Sequence, residues 1–339
     1  MSGRSESAQA FLDRIGWGQA NRAVLAGDAS ARRYDRLILP DGTRAVLMDA
    51  DPARGEDVRP FVAIATHLRG IGLSAPEVIA ADPDAGFLLL EDLGDAIFAR
   101  ETERDPGLEM RLYEGAVDVL CVVQQHPAPS LRRLDAAASA DLAALVFEWY
   151  RPGDSARNAA LAETFRARFQ EICAPLDDTP PVLMLRDYHA ENLIWLPKRK
   201  GHARVGLLDF QDAMLAHPAY DLVSVLQDAR RDVSADVTDA AIARFIDRTG
   251  AEPEAFRAAC AILGLQRQLR ILGIFARLAR RDGKTRYLDF LPRIWGHVQR
   301  NLDHPALSDI AAFLHQNLPP PDTEHIAALS RPCLTVPTP

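Results

Sequence analysis

The chain has 339 residues, more than one hydrophobic core ordinarily covers, so two lobes are expected. With 48% hydrophobic and 25% charged residues it has a globular make-up, which excludes a mostly disordered, collagenous or disulfide-stapled chain. The 39 Lys and Arg residues against 47 Asp and Glu give a net charge of -8, without the basic footprint that nucleic-acid binding needs.

Residues 8–16 have the spacing of a short amphipathic helix. Strand-like stretches follow at 22–26, 33–39 and 44–49, the last two separated by Pro40-Asp41-Gly42-Thr43. That is turn chemistry, because aspartate bonds its own backbone and glycine accepts positive φ. Residues 56–69 read as a helix, and 76–80 and 86–91 as two further strands. Glu91-Asp-Leu-Gly-Asp95 then leaves the sheet as a hinge.

Beyond the hinge the pattern turns helical, at roughly 107–126, 139–150, 156–174, 217–231, 235–249, 254–281 and 284–301, interrupted by a strand-rich patch from Val182 to Phe210. The expected organisation is an N-lobe over 1–92, a C-lobe over 93–325 and a loosely held, proline-punctuated tail over 326–339. Cys121, Cys173, Cys260 and Cys333 lack CxxC spacing and read as reduced thiols. The polar N-terminus leads into no apolar h-region, and runs such as Phe87–Leu90 are too short to span a bilayer. A cytoplasmic protein with neither membrane nor nucleic-acid partner is expected.

The informative stretch is Leu183-Met-Leu-Arg-Asp-Tyr-His-Ala-Glu-Asn-Leu-Ile-Trp-Leu196, which sets Asp187 five residues before Asn192. Seventeen residues further, the apolar strand Gly206-Leu-Leu ends in Asp209. Phosphoryl transfer needs a carboxylate to take the acceptor's proton, and oxygen ligands for magnesium beside the ATP phosphates. Asp187 is the candidate base, and Asn192 and Asp209 are the candidate Mg²⁺ ligands. Singly, such residues are commonly turn or capping residues. In this order, behind a small sheet with a Gly-containing loop and a hinge, they point jointly to a kinase.

At these residues the chain resembles the aminoglycoside phosphotransferase and choline kinase group of kinase-like folds, through Asp209-Phe-Gln-Asp-Ala-Met-Leu-Ala-His-Pro-Ala-Tyr-Asp-Leu222. Within that group it is more similar to the bacterial anomeric sugar kinases that phosphorylate N-acetylmuramate and N-acetylglucosamine in cell-wall recycling. The runs Gly27–Tyr34, Leu185–Asn192 and Gln266–Leu278 carry this likeness. The resemblance implies a bilobal, protein-kinase-like α+β fold, with a small antiparallel-sheet N-lobe and a larger, mainly helical C-lobe. It implies that Gly27, Asp28, Ala29 and Ser30 lie over the ATP phosphates, that backbone at Glu91 and Leu93 meets the adenine, and that Asp221 braces the catalytic loop.

Two features depart from the kinase pattern. The third-strand position that usually holds a phosphate-binding lysine is Met48, and the only lysines are Lys198, Lys200 and Lys284. Arg32 and Arg33 are the candidate replacements, since guanidinium grips phosphate oxygens bidentately. Leu185 stands where protein kinases carry the histidine that precedes the catalytic-loop Arg-Asp, a residue that is not the base.

On the helix over 262–279, Ile262, Leu265, Leu269, Leu272, Ala276 and Ala279 share one face, with Arg267, Arg270, Arg277 and Arg281 roughly opposite. Those arginines form either a solvated face or, through Arg267 or Arg270, a contact to the carboxylate of an acid sugar. Tyr188 and His189 are candidate contacts to sugar hydroxyls. The expected activity is ATP-dependent phosphorylation of an N-acetylated amino sugar at its anomeric hydroxyl. Phosphorylation of an aminoglycoside or other small alcohol is the second reading, and a nucleotide-binding pseudokinase the third.

Overall fold

The computed structural model describes residues 2–27 and 32–331. In chain order the first elements are α1 (Ser2–Arg14), β1 (Asn21–Gly27), β2 (Arg33–Ile38), β3 (Arg44–Asp49), α2 (Arg59–Gly70), β4 (Val78–Asp82) and β5 (Phe87–Glu91). Then come α3 (Phe98–Arg104), α4 (Glu109–Gln124), α5 (Ala136–Trp149), α6 (Ser155–Cys173) and the short strands β6 (Val182–Met184), β7 (Leu193–Trp195), β8 (Val205–Leu207) and β9 (Met214–Ala216). Helices α7 (Ala219–Leu226), α8 (Ala235–Thr249), α9 (Pro253–Asp282), α10 (Leu291–Leu302), α11 (Ser308–Asn317) and α12 (Thr323–Leu329) complete the described chain. It divides into two compact units, one of residues 1–126 with 191–213, the other of 127–190 with 214–339.

In the first unit five antiparallel strands run in the order β1-β2-β3-β5-β4. The alternation of strand side chains decides what each face buries. Leu37, Ala45, Leu47, Phe87 and Leu89 meet Ala8, Phe11 and Leu12 of α1, with the Phe11 and Phe87 rings stacked at 5.6 Å. Met48, Leu88 and Leu90 point the other way and are also buried, so the middle of the sheet is covered on both faces. The hairpin β7–β8 belongs to this unit and is tied to it by the Ser74 hydroxyl, which donates to the Ala203 carbonyl at 2.7 Å.

The second unit is built on helices. Its longest, α9, has its ends set by local chemistry: Glu252 caps the N-terminus, Pro253 fits the first turn, and Gly283 closes the C-terminus at φ +67°. Residues 259–269 of α9 are buried without a break. The helix therefore has no solvated basic face at Arg267, although its termini are exposed. By length and composition α9 could cross a membrane, but 78% of its apolar window is buried within the fold. Cys121, Cys173 and Cys260 are buried free thiols, and Cys333 lies outside the described residues.

Several features go beyond the sequence expectation. β4 lies outside β5 at the sheet edge, because the order of a five-stranded sheet depends on long-range pairing. Helices α3, α11 and α12 are present where no long periodic stretch announces them, and Leu329 of α12 enters the second unit's core.

Candidate active site

The loop after β6 carries Asp187. Leu185 accepts the Asp187 N–H at 2.9 Å around Arg186, whose φ is +72°. A bond across one residue at that φ is a γ-turn of the rare, strained kind. Asp221, in the first turn of α7, braces it: its carboxylate accepts the Leu185 N–H at 2.6 Å and the Arg186 N–H at 3.0 Å. Burial pushes the Asp221 carboxyl up to about 7, against the pull of these two backbone donors. Within the second unit, then, Asp187 follows a strained residue whose amide is fixed by a buried carboxyl group.

Around this loop stand Tyr188 and His189, both buried, and two arginines of α9. Arg267 is 6% exposed and donates from Nη1 to the Gln227 carbonyl at 3.3 Å. Burial lowers its pKa, with Tyr220, Asp228 and Asp187 acting the other way. Arg270 donates to the Tyr220 hydroxyl at 3.2 Å. His189 is pushed down to about 3, first by burial and then by Arg230 and Arg267, so it is neutral at physiological pH. Arg230, which the sequence did not single out, has Nη1 3.5 Å from His189 Nε2.

The first unit holds the other candidates. In the β7–β8 hairpin Leu193 faces Leu207, and the next rung has the Leu208 N–H donating to the Asn192 carbonyl at 3.0 Å. Asn192 and Asp209 therefore leave the same end of one hairpin. Asp209 has φ +58°, a left-handed conformation that aspartate tolerates better than most residues. The turn is pinned by Phe210, whose ring stacks on Phe61 of α2 at 4.8 Å. Gln211 donates from one amide nitrogen to Asp209 Oδ1 at 2.9 Å and Asp212 Oδ2 at 3.3 Å, orienting both carboxylates.

The two arginines proposed to replace the missing lysine lie in different surroundings. The Arg32 side chain is 12% exposed, donates from Nε to Glu56 at 2.8 Å and brings Nη1 to 3.9 Å from Asp209 Oδ1. Burial works against its charge, but Glu56, Tyr34 and Asp212 more than offset this and its pKa is raised. The Arg33 side chain is 61% exposed and stands 3.9 Å from Asp35. Met48, paired with Tyr34 across the sheet, is wholly buried.

At the hinge, the Glu91 N–H donates to the Glu77 carbonyl and its carboxylate pairs with Arg199 and Arg69. Arg36 holds Asp92 at 2.7 Å and Asp95 at 2.8 Å, fixing the segment that contains Leu93. Gly27 ends β1, and Asp28, Ala29 and Ser30 lie outside the described residues.

The Asp209 carboxylate and Asn192 amide supply hard oxygen donors. Among the described residues no cluster of three or more His, Cys, Asp or Glu side chains forms a metal cage. That set fits Mg²⁺, which binds through one or two carboxylates together with substrate phosphates and keeps several waters. Gln211, Glu56 and Arg230 escaped the sequence reading. Gln211, between two aspartates in Asp209-Phe-Gln-Asp212, offered the clearest local signal.

The model of the phosphotransferase enzyme family matches residues 22–259. A Caulobacter vibrioides protein named N-acetylmuramate/N-acetylglucosamine kinase is 41% identical, over 94% of this chain and 98% of its own. A Pseudomonas aeruginosa protein of the same name is 35% identical, over 88% and 90%. Among solved structures, a choline/ethanolamine kinase family protein from Mesorhizobium loti covers 96% of this chain and 99% of its own at TM-score 0.62 and 16% identity. The GDP complex of aminoglycoside 2'-phosphotransferase-IIIa covers 88% and 99% at TM-score 0.62 and 14% identity. The fold is thus the protein-kinase-like one that these enzymes share.

Proposed function

The chain belongs to the phosphotransferase enzyme family, and we propose that it transfers the γ-phosphoryl group of ATP to the anomeric hydroxyl of N-acetylmuramate and N-acetylglucosamine, giving sugar 1-phosphates. The observation that carries this reading is the 41% identity to an N-acetylmuramate/N-acetylglucosamine kinase along nearly the whole of both chains. Its need for ATP assigns the work to the cytoplasm.

In this reading Asp187 takes the proton of the acceptor hydroxyl, a step that general bases accelerate by roughly 10²–10⁴-fold. The braced γ-turn supports that role, because it holds the carboxylate's backbone in one position before substrate arrives. A hemiacetal hydroxyl is more acidic than an ordinary alcohol, which lightens the demand on Asp187. Asn192 and Asp209 would hold Mg²⁺, which would draw off charge that develops on the phosphate oxygens. Arg32 grips the α- and β-phosphates in place of the usual lysine, and Glu56 orients its guanidinium, which leaves Arg33 as a surface residue. Backbone of Glu91 and Leu93 meets the adenine.

The test is ADP release in the presence of N-acetylmuramate, N-acetylglucosamine, unacetylated glucosamine or an aminoglycoside. Turnover confined to the N-acetylated sugars is the expected result. Phosphorylation of the aminoglycoside in preference to them would move the protein to a different acceptor class. ATP binding that is indifferent to Mg²⁺, with no turnover, would favour a regulatory nucleotide-binding role.

A further inference from the structure

The two proposed acceptors differ in charge. N-acetylmuramate carries a carboxylate on the lactyl ether at O3, where N-acetylglucosamine has a neutral hydroxyl. An enzyme that uses both needs a cation that can pair with the first without a buried group being left unpaired by the second. Three arginines surround the Asp187 loop within the second unit, and their surroundings separate them. Arg267 is buried, and its guanidinium donates to the Gln227 carbonyl. That carbonyl also accepts from Gln268 at 2.8 Å, and Gln227 exchanges both amide hydrogen bonds with Asn301 at 2.9 Å. Arg267 is thus buried and tied through Nη1 to a polar network of Gln227, Gln268 and Asn301. Arg270 is directed to the Tyr220 hydroxyl.

Arg230 is different. It is exposed, and among the described residues no carboxylate lies within ion-pair distance of its guanidinium. Its backbone is nonetheless fixed: Asp228, fully buried after α7, accepts the Arg230 N–H at 2.9 Å. Its Nη1 reaches His189 Nε2 at 3.5 Å. Arginine can only donate, so Nε2 accepts and the imidazole is neutral. One imidazole ring therefore separates the Arg230 guanidinium from the loop that carries the base.

We propose that Arg230 is the specificity-determining residue for the acid sugar, pairing with the lactyl carboxylate of N-acetylmuramate, while His189 ties the guanidinium to the loop that carries the base. This rests on the sugar-kinase reading above. An exposed guanidinium stays hydrated when the neutral sugar binds, so N-acetylglucosamine incurs no penalty from an orphaned buried charge. The acid sugar gains a charge-assisted, bidentate pair.

The test is kcat/KM for both sugars in the wild-type enzyme and in Arg230→Met and Arg230→Lys. Arg230→Met should lower the ratio of kcat/KM for N-acetylmuramate to that for N-acetylglucosamine by about 2- to 5-fold, the worth of one ion pair made by an exposed guanidinium. The loss should fall on KM, and Arg230→Lys should recover part of it. Equal losses on both sugars, or an unmoved ratio while the wild type uses both, would overturn the assignment and leave the sugar-kinase reading standing. A wild-type enzyme that turns over neither sugar would overturn both. Should Arg230→Met fail to fold, Arg230→Gln decides in its place: a ratio equal to wild type in that uncharged variant would refute a carboxylate pair.

Discussion

Gly273 sits in α9 where the helix crosses α5. A Cβ placed there would stand 2.7 Å from the carbonyl carbon of Leu145, 2.8 Å from its oxygen and 2.9 Å from its Cβ. Two of these are backbone atoms of α5, so no side-chain rotation relieves the clash and the helices must separate. Two effects oppose each other in Gly273→Ala. Alanine gains about 1 kcal/mol of helix propensity over glycine in a helix interior. Overpacking a well-filled core costs about 1–3 kcal/mol, and a backbone-to-backbone conflict belongs at the upper end. The net expectation is a loss of about 1–2 kcal/mol. Gly296→Ala in α10 is the matched control, since its nearest neighbour is the Arg300 guanidinium at 3.7 Å and propensity should prevail by about 0.5–1 kcal/mol. Guanidinium unfolding of both variants, compared at equal m-value, reads the two signs. A stabilised Gly273→Ala would refute the close crossing of α5 and α9.

Arg32→Ala should raise the KM for ATP by about 10- to 100-fold, with Arg32→Lys in between, because the lysine keeps the charge but loses the Nε bond to Glu56; an unchanged KM in Arg32→Ala would return the phosphate role to Arg33. Stability should fall on acidification. Burial depresses His217 and His297 to about 4 and His189 to about 3, so each binds a proton in the unfolded chain before the folded one as pH drops below about 6.5. Asp221, raised to about 7 by burial, has the opposite sign and loses stability as pH rises from about 4 to 7. Three histidines outweigh one aspartate, giving a slope on the order of 2–3 kcal/mol per pH unit between about 4.5 and 6. Unfolding free energies measured across that window check it, and a flat profile would contradict the burial of these histidines.

Much of this molecule is written in local pattern. The strands at 33–38 and 44–49 and the helices at 235–249 and 253–282 follow from alternation, caps and a Pro-Asp-Gly turn, all visible within a few residues. The spacing of Asp187, Asn192 and Asp209 was legible as a candidate site because a carboxylate base and oxygen ligands for Mg²⁺ are the groups phosphoryl transfer uses. Other features depend on contacts distant in sequence. Nothing near Arg186 announces positive φ in a non-glycine residue; the conformation is held by Asp221, 35 positions away. The helical wheel set Arg267 opposite the apolar stripe, whereas it is buried because Gln227, at the end of a different helix, supplies a carbonyl acceptor. Arg230 carries no motif, and its interest arises only from the ring nitrogen of His189, 41 residues earlier in the chain. Choosing Arg32 over Arg33 likewise required Glu56 and Asp209 to be placed in space.

The most direct test of the central claim is the position of the transferred phosphate. Purified enzyme, ATP, Mg²⁺ and N-acetylglucosamine would be incubated and the product examined by phosphorus NMR, with Asp187→Ala alongside. The expected product signal is a phosphorus resonance coupled to the anomeric proton, absent in Asp187→Ala although that variant unfolds at the same temperature as wild type. A resonance coupled instead to the C6 protons, or full product formation by Asp187→Ala, would contradict the account.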